Sequence, residues 1–517
     1  MPPVLVDIPS PSDARDRLVR VAEAEARARA PGAVGAALPG GGAGRANGDG
    51  VPVGGEPEDY TRWDPPAVTL VVTGQQNGYL EPCGCTGLDR QKGGVARRFT
   101  LLRQLRERGW DIVPIDTGNQ VRRYGRQAEI KYHRTLEALR AMDYRAVGFG
   151  PDDIRLSVGD LIQEAAADSP DDALYISANV VLFDPDLMPR FKTVEAGGKT
   201  IAITSLLDRG TLRAEPTDEI DIGDPIEAAR DVLSELEATG ADFKVLMFYG
   251  DEAAAVSLAQ AVPGFDLLVV SGGDGEPLYR PRAIPDSSAR LIVTGNKGMY
   301  VGLVGIDPDG GLKYARVPLT HEFEDAPEMR RLMADYQNQL QEVGLEGLGL
   351  RPIGHPSGES FVGSETCGQC HTTAFEIWEA TPHALATAHI VEPPRDRGDV
   401  ARHFDPECLS CHVTGWHPQN YQPYESGYLS LQASSHLVGN GCENCHGPGG
   451  SHVAAEMQEL DVTEERRREL RLAMRLPLER AREQCLQCHD LDNSPDFHEA
   501  GAFEDVYWPQ VEHYGLD

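Results

Sequence analysis

Cys-x-x-Cys-His recurs four times in the last third of the chain: CGQCH (Cys367, Cys370, His371), CLSCH (Cys408, Cys411, His412), CENCH (Cys442, Cys445, His446) and CLQCH (Cys485, Cys488, His489). The two thiols of such a unit add across the vinyl groups of a haem, and the adjoining His becomes the proximal iron ligand. At this chain's Cys and His frequencies about 0.01 such units arise by chance, so four are not accidental. Zinc sites pair cysteines without an obligatory His after each pair, and a disulfide framework has no use for that His. The sequence therefore predicts four covalently bound c-type haems.

Each iron then needs a sixth ligand. Within residues 360–517 the histidines outside the four units are His383, His389, His403, His417, His436, His452, His498 and His513, while only Met457 and Met474 offer a thioether. Two methionines cannot serve four irons. The expectation is predominantly bis-His ligation, with potentials below those of His/Met cytochromes.

The elements that carry these units differ from those before them. Residues 1–65 hold one charged, Ala-rich helical candidate (Asp13 to Ala30), then a Gly- and Pro-rich stretch without apolar periodicity, which reads as linker or disorder. From Ala67 short β-branched runs alternate with amphipathic stretches: strands at 67–72, 111–115, 146–149, 174–177, 201–205, 243–248, 267–270, 291–294 and 301–306, and helices at 95–108, 128–142, 226–239 and 253–261. That alternation predicts a layered α/β domain over 66–320. A helix at 326–343 and a loop-rich crossing occupy 321–360. In 361–517 aliphatic runs thin out, and only 453–484 reads as extended helix, interrupted at Pro477. Four porphyrins supply the apolar core there, so the segment is expected to be mainly helical and irregular.

Composition narrows the partners. Lys and Arg number 48 against 81 Asp and Glu, a formal charge of −33, which argues against nucleic acid or an anionic membrane surface and for cationic or neutral redox proteins. No apolar run approaches the roughly 20 residues of a membrane span. Covalent haem is attached outside the cytoplasmic membrane, so a periplasmic or otherwise extracytoplasmic location is expected. The N-terminal stretch shows no basic region followed by an apolar one, so the expectation is either a misassigned start or a leader lying upstream.

The segment from Phe361 onward resembles the tetrahaem cytochromes of the c-554 type. The carriers are the four CxxCH units, the Trp378 to Ala384 stretch, CHVTGW at Cys411 to Trp416, GCENCHGPGGSH at Gly441 to His452, and YWPQVEH at Tyr507 to His513. The resemblance implies that His383, His452 and His513 are distal ligands. It also implies a second haem, at Cys408, Cys411 and His412, without a firm distal His, although His403, His417 and His436 are available here.

Residues 67–319 resemble the metallophosphoesterases of the 5'-nucleotidase type, through TGQQNGYLEP after the first strand, KGGVARR, IDTGN, AVGFGPDD, SAN at Ser177 to Asn179, and FDLLVVSGG. Working members hold two metals with Asp, His and Asn. Here the first such position reads Gln75-Gln76-Asn77, the second Asn119, the Asn-His pair Pro151-Asp152, a single His Tyr249, and the last segment Gly272-Gly273-Asp274-Gly275. The fold is expected to persist without its hydrolytic centre. EPCGCTG instead places Cys83 and Cys85, the cysteines left outside the haem units, near the mouth of that site. Two thiols one residue apart can form a plain or strained loop disulfide, bind a soft metal, or act as a redox pair.

The functional expectation is an exported electron-transfer protein rather than an enzyme. The alternatives are a haem oxidoreductase acting on a small nitrogen oxide at an open second iron and, more weakly, a nucleotidase with unusual ligands.

Overall fold

Val68, Leu70 and Val72 alternate with Thr69, Val71 and Thr73, and all six are buried, the pattern of a strand covered on both faces. The computed structural model describes residues 58–82, 87–273, 275–393 and 399–513, and shows what does the covering. In chain order the strands are β1 (Val68–Thr73), β2 (Ile112–Asp116), β3 (Ala146–Val147), β4 (Val180–Leu182), β5 (Phe191–Ala196), β6 (Lys199–Leu207), β7 (Ile220–Ile222), β8 (Phe243–Tyr249), β9 (Leu267–Ser271), β10 (Arg282–Ala283), β11 (Arg290–Val293), β12 (Tyr300–Ile306) and β13 (Leu312–Pro318).

One sheet has the order β13-β12-β1-β2-β3 and the other β10-β11-β9-β8-β6-β5. Their inner faces meet in a core of Val68, Leu70, Val72, Ile115, Ile201, Ile203, Val245, Met247, Val269 and Ile292. Outside the first sheet Val71, Val147 and Leu303 pack on helices Val95–Glu107, Arg126–Ala141 and Pro327–Gly347. Outside the second, Leu206, Leu246 and Val270 pack on Pro225–Ala238 and Glu252–Ala261. Those last two helices start where the sequence says they should: Asp224 accepts from Ile226 N and Glu227 N with Pro225 at the first position, and Asp251 accepts from Ala254 N. The result is a four-layer helix-sheet-sheet-helix sandwich.

Some elements differ from expectation. Leu174 to Ser177 does not form a ladder: Tyr175 makes a single bridge to Val147 before the chain leaves the sheet, and the strand follows at β4, paired with β7. The edge strand β13 and the hairpin partner β5 escaped sequence reading because both alternate with charged residues. The extended helix read at 453–484 is three helices, Gly450–Glu456, Glu464–Ala473 and Leu478–Cys485. Gln458 at φ 61 turns the chain out of the first, and Thr463 caps the second through Arg466 N. The helix Asp13 to Ala30 lies outside the described residues.

The last third is short helices, Ser364–Gly368, Thr372–Glu379, Ala386–Val391, Pro406–His412 and Cys442–His446 besides those just named, around small apolar clusters such as Leu409, Val413, Trp416 and Tyr428. Val53–Asp517 forms one compact unit, so the sandwich and these helices share an interface.

Candidate functional site

Each CxxCH unit is one helical turn. His371 N donates to Cys367 O and His489 N to Cys485 O, both at 2.9 Å, while the second and third units lie within helices Pro406–His412 and Cys442–His446. A turn puts the two thiols, three residues apart, on one face with the imidazole beside them.

The imidazoles of three units face three histidines from elsewhere. Ring centroids are 6.4 Å apart for His371 and His452, 6.0 Å for His489 and His383, and 5.8 Å for His446 and His513. An imidazole nitrogen sits about 2 Å from a first-row metal and its ring centre about 1 Å behind, so two rings flanking one ion have centroids about 6 Å apart. All three pairs have that spacing.

Protonation and orientation fit as well. His412 Nδ1 donates to Ala386 O at 2.6 Å, His446 Nδ1 to Met474 O at 2.8 Å and His513 Nδ1 to Val511 O at 2.7 Å, which leaves Nε2 as the bare lone pair. His489 Nδ1 lies 3.0 Å from Ser494 Oγ. His452 Nδ1 is buried with no hydrogen-bond partner, since nearby Glu456 is held by Arg471 through two bonds of 2.8 Å. A buried lone pair without a donor suits a metal ligand. Burial, with the neighbouring His489 and His412, pushes His383 down to about 4, and burial lowers His446 and His452. Neutral imidazole is the ligating form.

Thiols of different units touch. The Cys367 and Cys442 thiols hydrogen-bond, which raises the first and lowers the second, and Cys411 bonds to Cys488. Cys445 and Cys485 are also neighbours. One residue that sequence reasoning passed over joins the first and third units: Glu443, inside CENCH and 2% exposed, accepts from Val362 N, Gly363 N and Gly449 N at 2.8–3.0 Å. Gly363 itself has φ 85, and a Cβ there would meet His436 O at 2.4 Å. The carbonyls that orient the imidazoles carried no sequence signal, because every residue has one.

In the sandwich the positions that the phosphoesterase resemblance likens to metal ligands hold a mesh of amides. Asn77 Nδ2 donates to Asn296 Oδ1 (2.7 Å) and Asn119 Nδ2 to Asn77 Oδ1 (2.6 Å), while Asp152 N donates to Asn119 Oδ1 (2.9 Å). Gln75 Nε2 donates to Gly273 O, and Tyr249 OH to Gln75 Oε1. Gln76 accepts from the buried Arg98. Gln75, Asn77 and Asn119 have φ of 51, 54 and 63, so the loops keep the strained left-handed geometry common at functional sites. Asp116 is fully buried and engaged by Thr73 Oγ1, Gln120 Nε2 and Gly118 N. Asp153 accepts four backbone N–H groups, and burial pushes it up to about 7. Among the described residues no three His, Cys, Asp or Glu are grouped to hold a metal ion.

Cys83, Cys85 and Asp274 lie outside the described residues. The residues flanking the two cysteines reach the haem half: Tyr79 OH donates to Asp492 Oδ2 at 2.6 Å, Arg402 Nη2 to Glu81 Oε2 at 2.8 Å, and Arg90 pairs with Asp496 and Glu499.

Paired thiols one turn from an imidazole, with a second imidazole across from three of them, give the arrangement that holds a covalent c-type haem, in a segment following an α/β sandwich. More particularly, residues 366–447 match the family model described as cytochrome c554 and c-prime. A stretch of 97 residues is 30% identical to cytochrome c-554 of Nitrosomonas europaea, covering 17% of this chain and 39% of that protein. The chain thus spans well under half of that relative's length. Solved structures similar to the chain include the sulfate thiohydrolase SoxB of Thermus thermophilus (TM-score 0.45, 13% identity, 54% of this chain and 62% of that one). Another is a 5'-nucleotidase precursor, also from Thermus thermophilus (TM-score 0.45, 18% identity, 65% and 80%).

Proposed function

We propose that the chain is an exported tetrahaem cytochrome that passes electrons between redox proteins, with a cytochrome module over 361–517, a hydrolytically inactive sandwich over 66–320 and a connecting segment over 321–360. The observation that carries it is the meeting of three CxxCH imidazoles with three outside imidazoles at the spacing of shared axial ligands. Bound haems supply one-electron exchange between ferric and ferrous iron.

The residue roles follow. Cys367 and Cys370, Cys408 and Cys411, Cys442 and Cys445, and Cys485 and Cys488 anchor the haems, with His371, His412, His446 and His489 proximal. His452, His383 and His513 are the distal ligands of the first, fourth and third haems. The nearness of Cys367 to Cys442, of Cys445 to Cys485 and of Cys488 to Cys411 supports an order of first, third, fourth and second haem.

In the sandwich, side-chain amides bonded to one another stand where a two-metal clamp needs carboxylate and imidazole, which supports an inactive centre. Cys83 and Cys85 are proposed as a redox pair exchanging electrons with the haems; the support is that Glu81 and Arg90, on either side of them, bind residues flanking the second and fourth units.

A second reading, chemistry on a small nitrogen oxide at the second haem, is favoured by where the three distal histidines go. They serve the first, third and fourth units, so the second takes its distal ligand from His403, His417, His436 or an exogenous molecule. The test of both is the protein matured with haem and titrated, reduced, with nitric oxide. Unchanged low-spin spectra support pure electron transfer, and a shift confined to one haem supports the second reading.

A further inference from the structure

The second haem unit is held from outside the cytochrome module, unlike the first and third. Helix Pro406–His412 ends in the proximal ligand and begins among two carboxylates, Asp405, which is 4% exposed, and Glu407. Four of the side chains bonded to them come from upstream of residue 361. Lys131 Nζ lies 2.6 Å from Glu407 Oε2 and Arg123 Nη1 3.0 Å from Glu407 Oε1. Gln127 Nε2 donates to Asp405 Oδ1 at 2.8 Å, and Gln337 Nε2 to Asp405 Oδ2 at 3.2 Å. Arg123 also stacks on Tyr421, 3.7 Å from its ring centre. The first and third units, by contrast, are tied to each other through Glu443.

Resting on the tetrahaem reading, we propose that Lys131 and Arg123 are positioning residues for the second haem: the sandwich fixes the charge balance beside Cys408 and so sets the potential of one haem apart from the other three. Three cations, Lys131, Arg123 and Arg402, face three carboxylates, Asp405, Glu407 and Glu81, here. The Lys131 side chain is 11% exposed, so water screens the pair poorly. Removing Lys131 leaves an under-compensated negative charge beside Cys408, which would favour ferric iron in a haem held there. Removing the Glu407 charge leaves surplus positive charge, which favours ferrous iron.

The experiment is a spectroelectrochemical titration of the full-length haem-loaded protein, native against Lys131→Met, Glu407→Gln, the double variant and Lys131→Arg. We expect Lys131→Met to lower one of the four midpoints, Glu407→Gln to raise the same one, and the double variant and Lys131→Arg to return it close to native. If Lys131→Met fails to fold, the upward shift in Glu407→Gln carries the test. Midpoints that coincide with native in every variant, or four that move together, overturn the inference. A native preparation carrying fewer than four haems contradicts the tetrahaem reading itself and is distinguished by the haem count taken before titration.

Discussion

His446 and His513 stand with ring centroids 5.8 Å apart, one closing a CxxCH helix and the other near the C-terminal end of the described chain, its Nδ1 donated to Val511 O. The chain end is thereby folded back onto the third unit, with Nε2 of both rings left for metal. Replacing His513 by Ala removes one axial ligand. The expected outcome is one haem changing from low-spin to high-spin in the electron paramagnetic resonance spectrum, with three unaltered.

Glu443 accepts three backbone N–H groups that link the first and third units, those of Gly363 and Gly449 buried and that of Val362 part-buried. Glu443→Ala orphans them, at a cost of about 2 kcal/mol, given roughly 1 kcal/mol for each of the two buried donors left unpaired. Denaturant unfolding of the haem-loaded protein measures it. Glu443→Gln keeps an acceptor oxygen and is expected to lose less.

Arg98 is fully buried and bonds to Gln76 and Tyr144 OH, and Tyr144 OH lies 2.9 Å from Thr73 Oγ1, which donates to Asp116. This relay places a cation in the sandwich core beside Gln76. Arg98→Met breaks it and leaves Gln76 Oε1 without that donor, with an expected destabilisation of about 3 kcal/mol. Unfolding followed in the far ultraviolet checks it.

His133 sits between Glu164 Oε1 at 2.6 Å and Asp160 Oδ1 at 2.8 Å. The hydrogen bond to Glu164 raises its pKa above the usual 6.5, against burial and with help from Asp160. Its contribution to stability is therefore complete below pH 6.5 and lost as pH rises through the elevated folded value. Asp160 and Glu164, held below their ordinary values by bonds that outweigh burial, contribute in the opposite sense. Their share is present above the unfolded carboxylate pKa and lost as pH falls through the folded one. Replacing His133 by Gln is expected to flatten the decline in melting temperature on the alkaline side of pH 6.5.

The front domain is expected to release no phosphate from nucleotide monoesters with manganese or zinc present. Sustained turnover that follows metal loading would restore hydrolysis as a function.

Much of this was legible in the sequence because its signals are local. β-branched runs buried on both faces, such as Val68 to Thr73, and capped helices, such as the one opened by Asp224, declare themselves within a few residues. So do the four CxxCH units. What stayed hidden is relational. Which outside His meets which unit depends on a chain path with no periodicity, and Glu443 looks like any charged residue between two cysteines. The hold of Lys131 and Arg123 on Glu407 joins residues from opposite halves of the chain. Edge strands such as Leu312–Pro318, rich in charge, also conceal their pairing until the partner strand is known.

The most direct measurement is the haem content and spin state of the full-length protein after maturation with covalent haem, from its reduced pyridine spectrum, its mass and its electron paramagnetic resonance. Four haems per chain, all eight cysteines of the CxxCH units consumed, and at least three low-spin bis-imidazole irons are the predicted result. Fewer than four haems, or free thiols at Cys367, Cys408, Cys442 or Cys485, would contradict it.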